Sequence, residues 1–421
     1  MTSTIKKIFG VRGVEDIFPP EAVLWQQVEA TARRIFNLYG YGEIRTPIIE
    51  PYELFARGVG EGSAVVEKQM YTFPDRDNVM LALRPEGTAP VVRAYIESGT
   101  YATEALARYY YVGPMFRYER PQKGRQRQFH QIGVELFGTE SPAADAEVIT
   151  MAGHLFSALG IAGVTLEINS IGCPTCRPPF EKKLIAFLRE KASTLCADCQ
   201  RRLERNPLRV FDCKEASCQR TLAEAPEISA AWCEGCRDHF GRVRTALDQS
   251  KTSYTVNSRI VRGLDYYQRT AFEFTTDHLG AQNAVAAGGR YDGLVASLGG
   301  PDVPGVGFAI GLERLMLLCS QEAERVASDT LYVAMLSDSA VATMIPVISV
   351  LRKDGVRVEW DYEPKSLKSQ MRRADKIGAH SVIIVGDDEV AKGEVVVRNM
   401  KTKEQHNVPL AALPRHFISV V

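Results

Sequence analysis

The residues best placed to do chemistry are arginines set in extended segments beside glycine. Phe116-Arg117-Tyr118-Glu119 leads into Arg120-Pro-Gln-Lys-Gly-Arg-Gln-Arg127, and Phe129 to Phe137 leads out. Guanidinium forks match phosphate oxygens bidentately. An arginine inside a strand, followed by Arg120, Lys123, Arg125 and Arg127, is what polyphosphate binding needs. Phe129 is placed to stack on a base. Upstream, Glu86-Gly87-Thr88 ends a strand, where a carboxylate and a hydroxyl could hold an ammonium group. Downstream come Val261-Arg-Gly-Leu-Asp-Tyr-Tyr267 and Gly288-Gly-Arg-Tyr-Asp-Gly293. Glycines there would let backbone approach a ligand closely. Tyr266 and Tyr267, if on a strand, face opposite ways, so that only one lines a given cavity. Arg314 falls in the first turn of an apolar helix and would offer its fork, with the positive helix end, to a phosphate. Each feature has a plainer reading: a solvated hairpin tip, a helix cap at Thr88, polar turns, a surface arginine.

Eight of the nine cysteines lie between Cys173 and Cys236. Their spacing is Cys173-x2-Cys176, Cys196-x2-Cys199, Cys213-x4-Cys218 and Cys233-x2-Cys236, enough for two tetrahedral zinc sites of four thiolates each. Which pairs would share an ion is open, and reduced, partly buried thiols are the alternative. Asp212 and His239 are nearby substitutes. Cys319 sits in an apolar helical run and reads as core.

These residues need elements to hold them. Pro121 and Gly124 suit the turn of a long hairpin through residues 105–137. Pro19-Pro20 opens a helix that stops at Gly40. Residues 41–50 are extended and broken by Pro47, which points to an edge strand. A hairpin spans 69–84, and helices follow at 89–98 and 141–159. The strand 164–169 runs into the cysteine-rich stretch and resumes at 254–257, so that stretch reads as an insertion between two strands of one sheet. A polar stretch, 321–329, marks a boundary. Strands and helices then alternate, with strands at 331–335, 356–360, 381–385 and 394–399, as in a compact α/β domain. In its helix 366–378, Leu367, Met371, Ala374 and Ile377 form the expected buried stripe. Lys365, Lys368, Arg372 and Lys376 run beside it as a basic ridge suited to a phosphate backbone, or to solvent.

Length and composition bound the rest. A chain of 421 residues, 45% hydrophobic and 24% charged, predicts two or three soluble domains. Lysine plus arginine balances aspartate plus glutamate at 51 each, so any nucleic-acid contact must be local. The N-terminus lacks the apolar core of a signal peptide, and no apolar run is long enough to span a bilayer. The expectation is a cytoplasmic protein with no membrane contact.

In order along the chain, these segments resemble the class II aminoacyl-tRNA synthetases, and within them the histidyl-tRNA synthetase family. The proline-broken strand near Pro47 is similar to the first family motif, which builds a dimer interface. Phe116 to Gln131 is similar to the second, and Gly307-Phe-Ala-Ile-Gly-Leu-Glu-Arg314 to the third. The stretches 261–267 and 288–293 are similar to two peculiar to the histidine enzymes. The resemblance implies an α+β catalytic domain on an antiparallel sheet flanked by helices (1–172 and 254–325), a cysteine-rich helical insertion (173–253) and a C-terminal α/β anticodon-binding domain (330–421). It implies a homodimer that activates L-histidine with ATP and Mg²⁺, releases diphosphate and charges the 3′ end of tRNA(His). By position, Arg117 and Arg262 would take the α-phosphate. Glu119, Arg125, Phe129 and Arg314 would serve ATP. Glu86, Gly87, Thr88, Gln131, Glu135, Tyr266, Tyr267 and Tyr291, with Arg117 and Arg262, would surround histidine. The basic ridge becomes a tRNA contact. Zinc is not implied by the family and rests on the cysteine spacing alone. Two other readings are a synthetase-like regulatory subunit of ATP phosphoribosyltransferase and a zinc-dependent nucleic-acid-binding module. The first tends to lose catalytic arginines and the C-terminal domain, and the second leaves the ordered arginines unexplained.

Overall fold

The computed structural model describes residues 7–61, 63–280, 283–319 and 330–418. The chain divides into two compact units, Met1–Ser320 and Gln321–Val421. The boundary expected at 321–329 lies outside the described residues.

The first unit is built on an eight-stranded sheet. Its strand order is Gly42–Glu43, Ala107–Phe116, Gln128–Phe137, Gly305–Gly311, Ala284–Arg290, Gln268–Thr275, Thr165–Ser170 and Thr255–Val256. The six central strands pair antiparallel; the two short outer strands pair parallel with their neighbours. Such a sheet can cover one face with helices and leave the other for a cleft. Helices Glu21–Leu38 and Pro142–Ala158 cover one face. Val28, Phe36, Val148 and Leu155 pack there on Ile132, Val134, Phe272 and Phe308. A three-stranded sheet, Ile49–Pro51, Met80–Leu83 and Tyr71–Pro74, stands beside it. The Pro47-broken run therefore supplies an edge strand to each sheet. Short π-helical turns, Ala56–Gly60 and Val65–Gln69, follow.

The insertion leaves after Thr165–Ser170 and returns at Thr255–Val256, which pair in parallel. It is helical, with helices Arg177–Glu190, Ala197–Arg205, Ala216–Ala223 and Glu234–Gln249. Its own core contains Phe180, Leu184, Leu203, Val210 and Ile228.

The second unit is a five-stranded mixed sheet ordered Val358–Trp360, Leu331–Met335, Ser381–Val385, Glu394–Asn399 and Gln405–Pro409, with helices Asp338–Lys353 and Leu367–Lys376. The expected buried stripe on the latter helix is wrong at its start. Leu367 is 38% exposed, while Gln370 is buried. Gln370 earns its place by bonding backbone: its amide donates to Met335 O (2.7 Å) and Lys365 O (2.8 Å), and its oxygen accepts from Met335 N (3.1 Å). Lys365, Lys368, Arg372 and Lys376 are exposed as expected. No helix among the described residues is long and apolar enough to cross a membrane.

Candidate active site

The long hairpin positions the first group. Its strands pair from Ala107↔Phe137 to Phe116↔Gln128. Arg117 lies just past the last pair and is fixed by Nε donating to Pro85 O (2.8 Å). Its guanidinium sits 5.2 Å over the Phe129 ring. The loop folds back through Arg117 N to Arg127 O (2.8 Å) and a Gln122–Arg125 bridge, with Gly124 at φ +71°. Arg125 pairs with Glu119 at 2.8 Å. Arg314 donates to Ala284 O (2.6 Å) and Gly124 O (3.3 Å), tying the third motif to the hairpin loop.

Around these side chains is a cleft of about 350 Å³ lined by Glu86, Thr88, Arg117, Glu119, Arg125, Phe129, Gln131, Arg262, Tyr266, Tyr267 and Arg314. Burial pulls the Arg117 guanidinium's pKa down, and like-charged Arg125 adds to the shift against Glu119 and Glu86. Burial lowers Arg314 too, with Arg125 and Arg117 pushing the same way. Crowded, desolvated cations are relieved by a polyanion, which is the electrostatic condition for binding a triphosphate.

A second group of site residues is built on carboxylates. Buried Glu86 accepts from Thr88 N (2.8 Å) and Ala89 N (2.7 Å), so it, and not Thr88, caps the helix Thr88–Glu97. Gly87 precedes that helix and does not line the cleft; a Cβ there would meet the Tyr111 ring. Glu135 and Tyr291 lie beneath the cleft and not on its wall. Glu135 accepts from Thr88 Oγ1 (2.6 Å) and from the Tyr291 hydroxyl. Gly307 makes room for it, since a Cβ there would collide with the Glu135 carboxylate.

Burial raises the Glu135 pKa from its ordinary 4.5 to about 8, opposed by its bonds to Thr88 and Tyr291. The folded protein therefore holds this proton more tightly than the unfolded chain does. The associated stability is full below about pH 4.5 and is lost as pH rises toward about 8. Glu135→Gln is expected to lose this component of the decline. Urea unfolding of both proteins across that range checks it; identical slopes would contradict it.

Three expectations need correction. Tyr266 and Tyr267 both line the cleft, because they precede the strand Gln268–Thr275 and lie outside it, where strand alternation does not apply. Their rings lie 4.6 Å apart, and both pack near Tyr291. Gly288 and Gly289 admit neighbouring protein instead of a ligand: a Cβ at 288 would meet Gly307 O and Phe272, and at 289 Thr270 O and Tyr267. Third, the 288–293 stretch is a polar turn only at Asp292 and Gly293. Arg290 ends a strand and is wholly buried against Asp145.

Sequence reasoning missed Gln69, Arg209 and Glu313 on the cleft wall. Glu313 carries a signal, being next to Arg314; it accepts from His130 N at 2.8 Å. Arg209 carries none, lying deep in the insertion.

The family model described as Histidyl-tRNA synthetase matches residues 13–315, and that described as Anticodon binding domain matches residues 330–419. The chain belongs to the histidyl-tRNA synthetase family. It is 52% identical over 403 residues to the histidine–tRNA ligase of Geobacter sulfurreducens, covering 96% of this chain and 97% of the relative. It is 53% identical over 403 residues to that of Geobacter metallireducens, with the same coverage. The structure of apo Staphylococcus aureus histidyl-tRNA synthetase superposes with a TM-score of 0.82 at 35% identity, over 98% of this chain and all of that one.

Eight cysteines of this synthetase-family chain resolve into two sets, Cys173, Cys176, Cys233, Cys236 and Cys196, Cys199, Cys213, Cys218, with the four Sγ atoms of each within 4.8 Å of one another. All are free thiols. In the first set the sulfur separations are 3.4 Å (173–176), 3.5 Å (176–236), 3.7 Å (176–233) and 3.8 Å (173–233). Cys196 and Cys213 are 3.8 Å apart. A tetrahedral zinc tetrathiolate with Zn–S near 2.3 Å spaces its sulfurs about 3.8 Å apart, whereas a disulfide needs about 2.05 Å. Asp212 and His239 join neither set: Asp212 pairs with Arg209 (2.9 Å), and His239 faces Asp145 (3.5 Å).

Proposed function

We propose that this protein is a histidine–tRNA ligase: it activates L-histidine with ATP to histidyl-adenylate, releases diphosphate, and transfers histidine to the 3′ end of tRNA(His). The observation that carries the reading is the cleft of half-buried arginines joined to a carboxylate–tyrosine floor. Near-full-length identity to curated histidine–tRNA ligases, with the anticodon-binding domain retained, supports it over the regulatory-subunit reading.

In this reading the histidine carboxylate attacks the α-phosphorus in line; an O–P bond forms and the bond to the leaving diphosphate breaks. No side chain acts as nucleophile, so catalysis is alignment and charge neutralisation. Arg117 and Arg262 hold the α-phosphate. Arg125 and Arg314 serve the outer phosphates, Phe129 the adenine, and Glu119 takes part in ATP binding beside its partner Arg125. Glu86 and Thr88 take the amino group, and Gln131 lies near the amino acid. Tyr266 and Tyr267 face the imidazole, which offers one donor and one acceptor, and the Glu135–Tyr291 pair supports Thr88 and the two tyrosine rings from beneath. Glu119 on the cleft wall is the oxygen-donor type that Mg²⁺ takes, and Mg²⁺ carried in with ATP would offset phosphate charge.

The catalytic domain is assigned to 1–172 and 254–325, the insertion to 173–253 and the anticodon-binding domain to 330–421. The exposed Ile48, Ile49 and Met80 at the three-stranded sheet support a homodimer through that surface. Sulfur spacing supports one structural Zn²⁺ in each cysteine set, which would close a tetrahedral centre. A cytoplasmic location goes with the synthetase reading.

Charging assays on tRNA(His) test it. Histidine should be attached to tRNA(His) and no other amino acid should be; charging with a different amino acid would refute the assignment. Charge reversal on the ridge, Lys368→Glu with Arg372→Glu, is expected to cut charging roughly tenfold at physiological salt through lost phosphate contacts. Histidine activation without tRNA should be unchanged, and a parallel loss of activation would remove the ridge from tRNA binding.

A further inference from the structure

We infer that the two cysteine centres form a metal-dependent clamp on the 261–267 segment, with Arg177, Asn206 and Arg209 as positioning residues for histidine activation. The inference rests on the synthetase and zinc readings above.

The segment carries Arg262, Tyr266 and Tyr267 but belongs to no strand. Its shape is held from the insertion. Arg177, next after Cys176, donates from Nη2 to Tyr267 O at 2.5 Å. Arg209 donates from Nη1 to Gly263 O at 2.5 Å, and Asn206 Nδ2 to Asp265 Oδ1 at 2.8 Å. Val261 packs into the insertion core with Phe180, Leu184 and Val210. Arg209 also reaches the cleft wall beside Arg262 and Tyr267.

The donors sit where the thiolates hold the chain. Arg177 abuts the first centre. Asn206 and the short 3₁₀ turn Pro207–Asp212, which bears Arg209, lie between Cys199 and Cys213 of the second. A 3₁₀ turn has little stability of its own, and closing its flanking cysteines on one ion removes the freedom it would otherwise have. Without metal the donors lose their register, and with them Arg262 and Tyr267. Displacement of reacting groups by about 1 Å costs on the order of a hundredfold in rate.

The test uses the full chain purified with zinc. Two zinc ions per chain are expected. Arg209→Gln should keep both ions and a cooperative melt, raise the KM for histidine about tenfold, and leave the KM for ATP within about twofold. Chelation should speed amide exchange of residues 261–267 while the strands Gln128–Phe137 and Gly305–Gly311 stay protected, and zinc should restore both protection and activity. An unchanged histidine KM in Arg209→Gln, or unchanged exchange of 261–267 after stripping, would overturn the clamp. Wild-type activity in protein that binds no zinc would overturn its metal dependence alone. A wild-type protein that never activates histidine would overturn the synthetase reading and the clamp with it.

Discussion

Arg262→Ala should lose roughly a hundredfold to a thousandfold in histidyl-adenylate formation while the protein stays folded. Arg262 brings a positive charge to the cleft from the 261–267 segment and not from the hairpin. Its Nη1 lies 2.5 Å from Glu273, and its guanidinium is 5.2 Å over Tyr267. A donor aimed at charge that develops in the transition state is worth about 3–4 kcal/mol, because the protein pays no reorganisation at the moment of reaction. Alanine removes that donor and leaves Glu273 without its cation. The Glu273 side chain keeps 24% exposure, so water can take the vacated position and the stability loss should be about 1–2 kcal/mol. Pre-steady-state adenylate formation, read beside a urea melt, separates the two effects. Near wild-type adenylate formation would remove Arg262 from the chemistry.

Asp145→Ala should destabilise the catalytic unit by about 3–5 kcal/mol, the range for breaking a buried pair on one side only. Both Asp145 and Arg290 have fully buried side chains. Arg290 Nε donates to Asp145 Oδ1 at 3.0 Å and its Nη2 bonds the same oxygen. Arg290 Nη1 reaches Thr139 O (2.9 Å) and Asp292 (2.8 Å), and Thr270 Oγ1 donates to Asp145 at 2.5 Å. Removing Asp145 leaves a guanidinium in the sheet's interior with Asp292 as its only carboxylate. Because Arg290 adjoins Tyr291, the Glu135–Tyr291 pair should loosen as well, and the histidine KM should rise. Asp145→Asn keeps part of the hydrogen bonding and should cost less. A loss below about 1 kcal/mol for Asp145→Ala would mean that Asp292 alone satisfies Arg290.

Much of this architecture was legible in the chain. The hairpin was legible because Pro121 and Gly124 mark a turn in the charged loop between two extended segments. The insertion was legible because a strand pattern stops at Ser170 and resumes near Tyr254. The cleft arginines were visible as types, and the resemblance put them in order. What was not legible depends on contacts distant in sequence. Nothing local to Arg209 marks it as a cleft residue. Arg290 sits in a glycine-rich stretch that looks built for a ligand, but its partner Asp145 comes from a helix far upstream. Gln370 occupies an inward position because it satisfies the backbone of Met335, which polarity patterns do not report. The last strand, Gln405–Pro409, buries only Val408 and so shows no alternation. Cysteine pairing was open in the sequence and became definite only when four sulfurs met in space.

The most direct measurement of the central claim is ATP–pyrophosphate exchange with Mg²⁺ and each of the twenty amino acids in turn. The account predicts exchange with histidine alone. Exchange with a different amino acid, or none with histidine present, would contradict it.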